Sequence, residues 1–151
     1  MSLVSQFLNI RLESIDDLRV KNSDMPPAVA GDKSSRLDIN MWIKGRFADL
    51  EIQVSDEGDY PERSLYCWAL LYSGALATGE DYRDLPPTVV ISVIDFVLFK
   101  NHKEFHSEFR PCEVTRGNWL TDKMSPHFFE LPKAVRAYDE LSLQLARKAE
   151  A

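Results

Sequence analysis

The sequence is poor in the features that mark several broad protein classes. It has only two cysteines, Cys67 and Cys112, far apart and in no metal-ligand spacing, which fits a reducing, cytoplasmic setting. No apolar run approaches the roughly 20 residues that a membrane helix needs, so no membrane role is expected. The N-terminal stretch "MSLVSQFLNIRLESIDD" has no basic start and meets acids early, so it does not read as a signal peptide. Positive charge is not in excess: 18 Lys and Arg against 24 Asp and Glu leave a net charge of −6. That argues against a nucleic-acid grip spread over the whole surface, but not against a local basic groove beside an acidic metal site. There is no internal repeat, low-complexity tract or long linker. What remains is a chain of 151 residues, 44% hydrophobic and 28% charged, suited to a single domain with a real core over 1–151.

Apolar spacing predicts a helix over 2–12, with Leu3, Phe7 and Leu8 on one side. "SIDDLRVKN" reads as a short strand, and Pro26, Pro27 and Gly31 mark a loop. A second helix is predicted from "DYPERSLYCWALLYSGALATG", with Asp59 as N-cap, Pro61 in the first turn, Glu62 completing a capping pair and Gly79 as the stop. Its apolar residues surround the axis, so it is expected to be largely buried, Tyr66 with it. "TVVISVIDFVLF" is a β-branched run typical of a central strand covered on both faces. "EFHSEFRPCEV" reads as a strand near an edge, "HFFELPK" as a short strand with Phe128 and Phe129 in the core, and "AVRAYDELSLQLARKAEA" as a closing amphipathic helix. This order favours an α/β mixed sheet flanked by helices.

The most informative stretch is "SSRLDINMWIKGRFADLEIQVSD", Ser34 to Asp56. With Lys44-Gly45 as a two-residue turn, cross-strand pairs sum to 89, because Ile43 meets Arg46. Leu37, Ile39, Met41 and Ile43 then share an apolar face with Ala48, Leu50, Ile52 and Val54. The other face opposes Arg36 to Gln53, Asp38 to Glu51 and Asn40 to Asp49. Opposed residues have Cβ atoms about 4.5–5.5 Å apart, and like charges so placed destabilise a sheet. Either water solvates the pair on an exposed face, or a divalent cation lies between the carboxylates.

The segments "SRLDINMWIKGRFADLEIQVSDEGDYPERSLYCWALLYSGAL", "GEDYRDLPPTVVISVIDFVLF", "EFHSEFR", "LTD" and "HFFELPK", in this order, resemble the PD-(D/E)XK nuclease family transposases, or recombination-promoting nucleases. The similarity runs from about Phe7 to Lys133. It implies a restriction-endonuclease-like fold, a mixed β-sheet flanked by helices, and metal-dependent cutting of DNA. Carried over residue by residue, Asp38 and Glu51 would ligate Mg²⁺, with Mn²⁺ as a substitute, and the Ile52 main-chain carbonyl would be a further ligand. Gln53 stands where much of the superfamily has Lys. An amide can hydrogen-bond a water but brings no charge to it, so more of the activation would fall on the metal. Asp38, Glu51 and Gln53 are thus the catalytic candidates for in-line hydrolysis of a phosphodiester.

Arg63 matches the family's segment on the second helix and is read either as a phosphate contact or as a surface arginine pairing with Glu62 or Asp59. Arg36 belongs to a basic group with Lys33, Lys44 and Arg46 around the hairpin. It is the second substrate-binding candidate, while Lys44 and Arg46 read equally well as charges defending a sheet edge. His102 and His106 have metal-like spacing but straddle a loop-to-strand junction, and His127 reads as a packed or surface histidine. Members of the family extend further upstream than this sequence, so the chain is expected to lack their N-terminal segment. The alternative to a nuclease is a catalytically inactive relative serving as a binding or assembly module. DNA is the expected partner, with a homodimer left open.

Overall fold

The computed structural model describes residues 15–21, 38–43 and 45–149. The helix predicted over 2–12, the loop around Pro26 and Gly31, and Lys33, Arg36 and Lys44 lie outside these residues. Among the described residues, six strands form one mixed sheet in the order β1-β2-β3-β4-β6-β5. Strand β1 spans Ile15–Lys21, β2 spans Asp38–Ile43 and β3 spans Arg46–Gln53. The β2–β3 ladder runs from Ile39–Leu50 to Ile43–Arg46, the register that the Lys44-Gly45 turn predicts. Gly45 has φ 72°, the left-handed backbone a tight hairpin turn demands.

From β3 the chain crosses through helix α1, Tyr60–Gly74, to β4, Thr88–Ile94, which lies parallel beside β3. Pro61 stands in the first turn of α1, as expected, but Asp59 makes no side-chain capping bond and the helix ends at Gly74 rather than Gly79. Gly79 instead supplies a φ of 92° in the turn that follows. The expectation of a largely buried helix is also overturned. Only Tyr60, Ser64 and Leu71 are buried, while Leu65, Tyr66 and Leu70 face solvent. A helix lying on a sheet covers it with one stripe, and the apolar residues on the far side stay exposed. The Trp68 indole Nε1 anchors α1 by donating to the Thr88 carbonyl at 3.1 Å.

β4 is the interior strand that its β-branched run predicts, paired parallel with β3 on one side and with β6, Met124–Glu130, on the other. It stops at Ile94, and Phe96, Leu98 and Phe99 leave the sheet to pack over its end. β5, His106–Glu108, is an edge strand of three residues. β6 begins three residues before the predicted "HFFELPK", and Leu131-Pro132-Lys133 of that run opens helix α2, Leu131–Ala149.

The two sheet faces differ in chemistry. On one, Met41, Ala48, Leu50, Val89, Ile91 and Phe129 form an apolar cluster, as the hairpin arithmetic requires for β2 and β3. The other carries Asn40, Asp49, Glu51 and Gln53, at 4–7% exposure. A solvated polar face is therefore excluded: the row lies inside the protein. Where α1 crosses, Tyr60, Ile94 and Phe128 form the second cluster.

A further carboxylate is buried at the end of β6. Glu130 is 0% exposed and ion-paired at 2.6 Å to Lys133, itself 6% exposed. Its other oxygen accepts the Leu98 and Phe99 backbone N–H groups at 2.7 and 3.1 Å, and Lys133 also donates to the Phe99 carbonyl at 2.6 Å. This network pins the turn after β4 to the β6–α2 junction. Removing one partner of such a pair strands the other charge in the interior. Glu130→Ala should therefore cost about 3–5 kcal/mol in urea unfolding. The double variant Glu130→Met/Lys133→Met removes the stranded charge but still orphans the Leu98 and Phe99 N–H groups, so it should recover only part of that loss.

Candidate active site

The topology brings several strand ends together. Parallel β3, β4 and β6 finish at the same edge of the sheet, and antiparallel β2 begins there. This edge holds Asp38 at the start of β2, Glu51 and Gln53 near the end of β3, Ser92 and Ile94 on β4, and Glu130 on β6. In open α/β sheets the carboxyl ends of parallel strands are where ligands bind, because the crossover loops open there.

Glu51 is 5% exposed, opposite Ser92 in the β3–β4 register, and its Oε2 accepts the Tyr60 hydroxyl at 3.2 Å. Burial pushes the Tyr60 phenol well above its usual range; the Glu51 charge adds to this and the neighbouring Ser92 hydroxyl opposes it. The Ser92 Oγ is itself buried and makes no hydrogen bond of good geometry among the described residues. Gln53 is 4% exposed, and its Nε2 donates to the Ser55 carbonyl at 3.0 Å. The Gln53 carbonyl accepts the Asp95 N–H at 3.0 Å, tying the ends of β3 and β4 together.

The β2–β3 ladder ends at Ile39–Leu50, one step short of Asp38 and Glu51, and Asp38 pairs in register with Lys21 of β1. The Asp38 side chain is outside the described residues, as is all of Arg36. Beyond Leu50, β3 pairs with β4 alone, so the outer backbone edge at Ile52 carries no ladder among the described residues. Arg63 lies in the first turns of α1 with its guanidinium carbon 5.9 Å from the Tyr60 ring centroid. Its Nε is buried and has no acceptor among the described residues, and no ion pair to Glu62 or Asp59 forms there. Tyr66, expected in the core, is 52% exposed, because it sits on the outer side of α1. Among the described residues, no three His, Cys, Asp or Glu side chains form a group able to hold a metal ion.

A model of the PD-(D/E)XK nuclease family transposases matches residues 1–148. The chain belongs to this family. No curated protein and no solved structure matches it. The mixed sheet with its flanking helices is accordingly the α/β fold of restriction-endonuclease type. No helix among the described residues is long and apolar enough to cross a membrane.

Within this nuclease fold, Tyr60 and Ser92 stand at the candidate site although their local sequence did not single them out. Tyr60 looks like a helix-start residue and Ser92 like a small residue within a buried strand. The available signal was the crossover itself, which returns the first turn of the helix to the strand end it has just left.

The histidines form a separate system on the opposite sheet face. His106 Nε2 lies 3.0 Å from His127 Nδ1, His127 Nε2 lies 2.6 Å from Ser125 Oγ, and Ser125 donates to Glu108 at 3.4 Å. An ionised carboxylate only accepts, so the donors run one way: His106 to His127 to Ser125 to Glu108. His102 sits apart, near Glu104 and Ser107. Burial pushes the His127 imidazole down to about 4; Glu108 pulls against the fall and His106 adds to it. The unfolded chain therefore takes up a proton near pH 6.5 that the folded chain refuses, so this stability is complete above pH 6.5 and is lost as pH falls toward 4. Between pH 7 and 5 the loss from this group should be about 1 kcal/mol, after discounting for its remaining solvent contact. Thermal unfolding of His127→Leu should show a correspondingly shallower pH dependence over that interval.

Proposed function

We propose that this chain is a divalent-cation-dependent DNA endonuclease that hydrolyses phosphodiester bonds, as its nuclease-transposase family suggests. The observation that carries this reading is the buried Glu51 carboxylate, held where three parallel strands end and β2 begins at Asp38. Burying a carboxylate is costly unless donors or a cation compensate it. The residues fit a hard cation: Asp38 and Glu51 offer carboxylate oxygens, and Ile52 offers a main-chain carbonyl on the outer edge of β3, which carries no ladder there among the described residues. Mg²⁺ suits this donor set, with Mn²⁺ as a substitute. When bound, the cation supplies activation of water and neutralisation of charge developing on the phosphate.

The chain's own groups do the rest. Gln53 uses one amide N–H on Ser55, and its amide oxygen and second N–H can orient the attacking water. Arg63 offers a buried Nε donor with no acceptor among the described residues, at the amino end of α1, where the helix dipole also favours an anion. Arg36, two positions before Asp38, is the second proposed phosphate contact. The reading takes residues 1–151 as one domain in a cytoplasmic setting.

A second reading, a non-catalytic binding or assembly module that includes a homodimer, draws on exposed apolar residues. These are Leu65, Tyr66 and Leu70 on α1, and Val135, Tyr138 and Leu141 on α2.

Mg²⁺-dependent nicking of supercoiled plasmid should fall at least about 100-fold in Asp38→Ala and in Glu51→Ala, with far-UV circular dichroism retained. Calorimetric titration should show Mn²⁺ binding lost in Glu51→Gln. Undiminished cleavage by both alanine variants would remove this site. A well-folded chain with no cleavage at any Mg²⁺ or Mn²⁺ concentration would favour the assembly reading.

A further inference from the structure

The connection from β3 to α1 is short and internally braced. Asp56 Oδ1 accepts the Gly58 N–H at 2.9 Å, Gly58 turns the chain at φ 85°, and the Arg63 N–H bonds the Asp59 carbonyl at 3.1 Å. This turn places the first residue of α1, Tyr60, directly over Glu51. Tyr60 is 2% exposed, and its ring is held edge-on by Phe96 at 5.8 Å and Phe128 at 6.2 Å. The hydroxyl is therefore a fixed point. Its bond to Glu51 Oε2 at 3.2 Å helps fix the orientation of that carboxylate. The same ring lies under the Arg63 guanidinium.

We infer that Tyr60 is a positioning residue that serves both halves of the site: its hydroxyl orients the Glu51 carboxylate for a divalent cation, and its ring seats Arg63 for the substrate phosphate. The inference rests on the nuclease reading. Groups that orient metal ligands in this way typically change metal affinity about 10–100-fold when removed. Tyr60→Phe deletes the hydroxyl and keeps the ring, whereas Tyr60→Leu deletes both.

Mn²⁺ binding should be measured by calorimetry, DNA binding by anisotropy without metal, and the folded fraction by circular dichroism. In Tyr60→Phe, Mn²⁺ affinity should fall about 10-fold at unchanged folded fraction, with DNA affinity kept. Tyr60→Leu should lose DNA affinity as well, by about the several-fold worth of a cation–π contact. Wild-type Mn²⁺ affinity in Tyr60→Phe, or a loss that only tracks unfolding, would overturn the inference while Glu51→Gln still abolished binding. If the wild type itself bound no Mn²⁺, the nuclease reading would fall and this inference with it.

Discussion

A carboxylate lies between the sheet and the first turn of the crossover helix, and most of the architecture follows from accommodating it. Glu51 sits at 5% exposure in a row whose other members, Asn40, Asp49 and Gln53, are also buried and polar. Such a row would normally face water. Here α1 starts beside it, and the Tyr60 hydroxyl meets the carboxylate. The fold thus has an apolar face that holds it together and a polar face that it must keep matched with hydrogen bonds. That division arises in β2 and β3, whose alternation sends apolar and polar residues to opposite sides, apart from the stacked Trp42–Phe47 pair on the polar side.

Glu51 and Glu130 are both buried near the carboxyl ends of β3 and β6, on either side of β4. Glu130 has its compensation in the chain: an ammonium, two backbone N–H groups and full enclosure. It is a structural clamp. Glu51 accepts the phenol O–H of Tyr60 at the start of α1, on the edge where β2 begins at Asp38. Both side chains are nearly invisible to solvent.

Much of this was legible in the sequence because hairpins are local. A glycine in a two-residue turn fixes the register, and register fixes faces, so the pairs summing to 89 could be written down without coordinates. The interior strand was legible for a similar reason: seven consecutive residues with little polarity have no solvent side. The resemblance supplied the family, to which the chain does belong. What the residues did not disclose depends on the third dimension. Alternation shows that Asp49 and Glu51 share a face but not that this face is buried. The apolar circumference of α1 suggested burial on all sides, yet a single sheet contact shields only one stripe, which leaves Tyr66 outside. The capping pattern at Asp59 failed because the helix start is set by packing Tyr60 into the core. The Asp38 and Arg36 side chains, outside the described residues, remain proposals from register and family pattern.

The strand-to-helix passage at Glu130–Leu131 has no intervening loop. Residues on either side of that join are bolted through Lys133 to the turn that follows β4. That turn begins at Asp95, whose N–H is fixed to Gln53. The rod formed by α2 is thus mechanically geared to the edge of the sheet that carries the carboxylates.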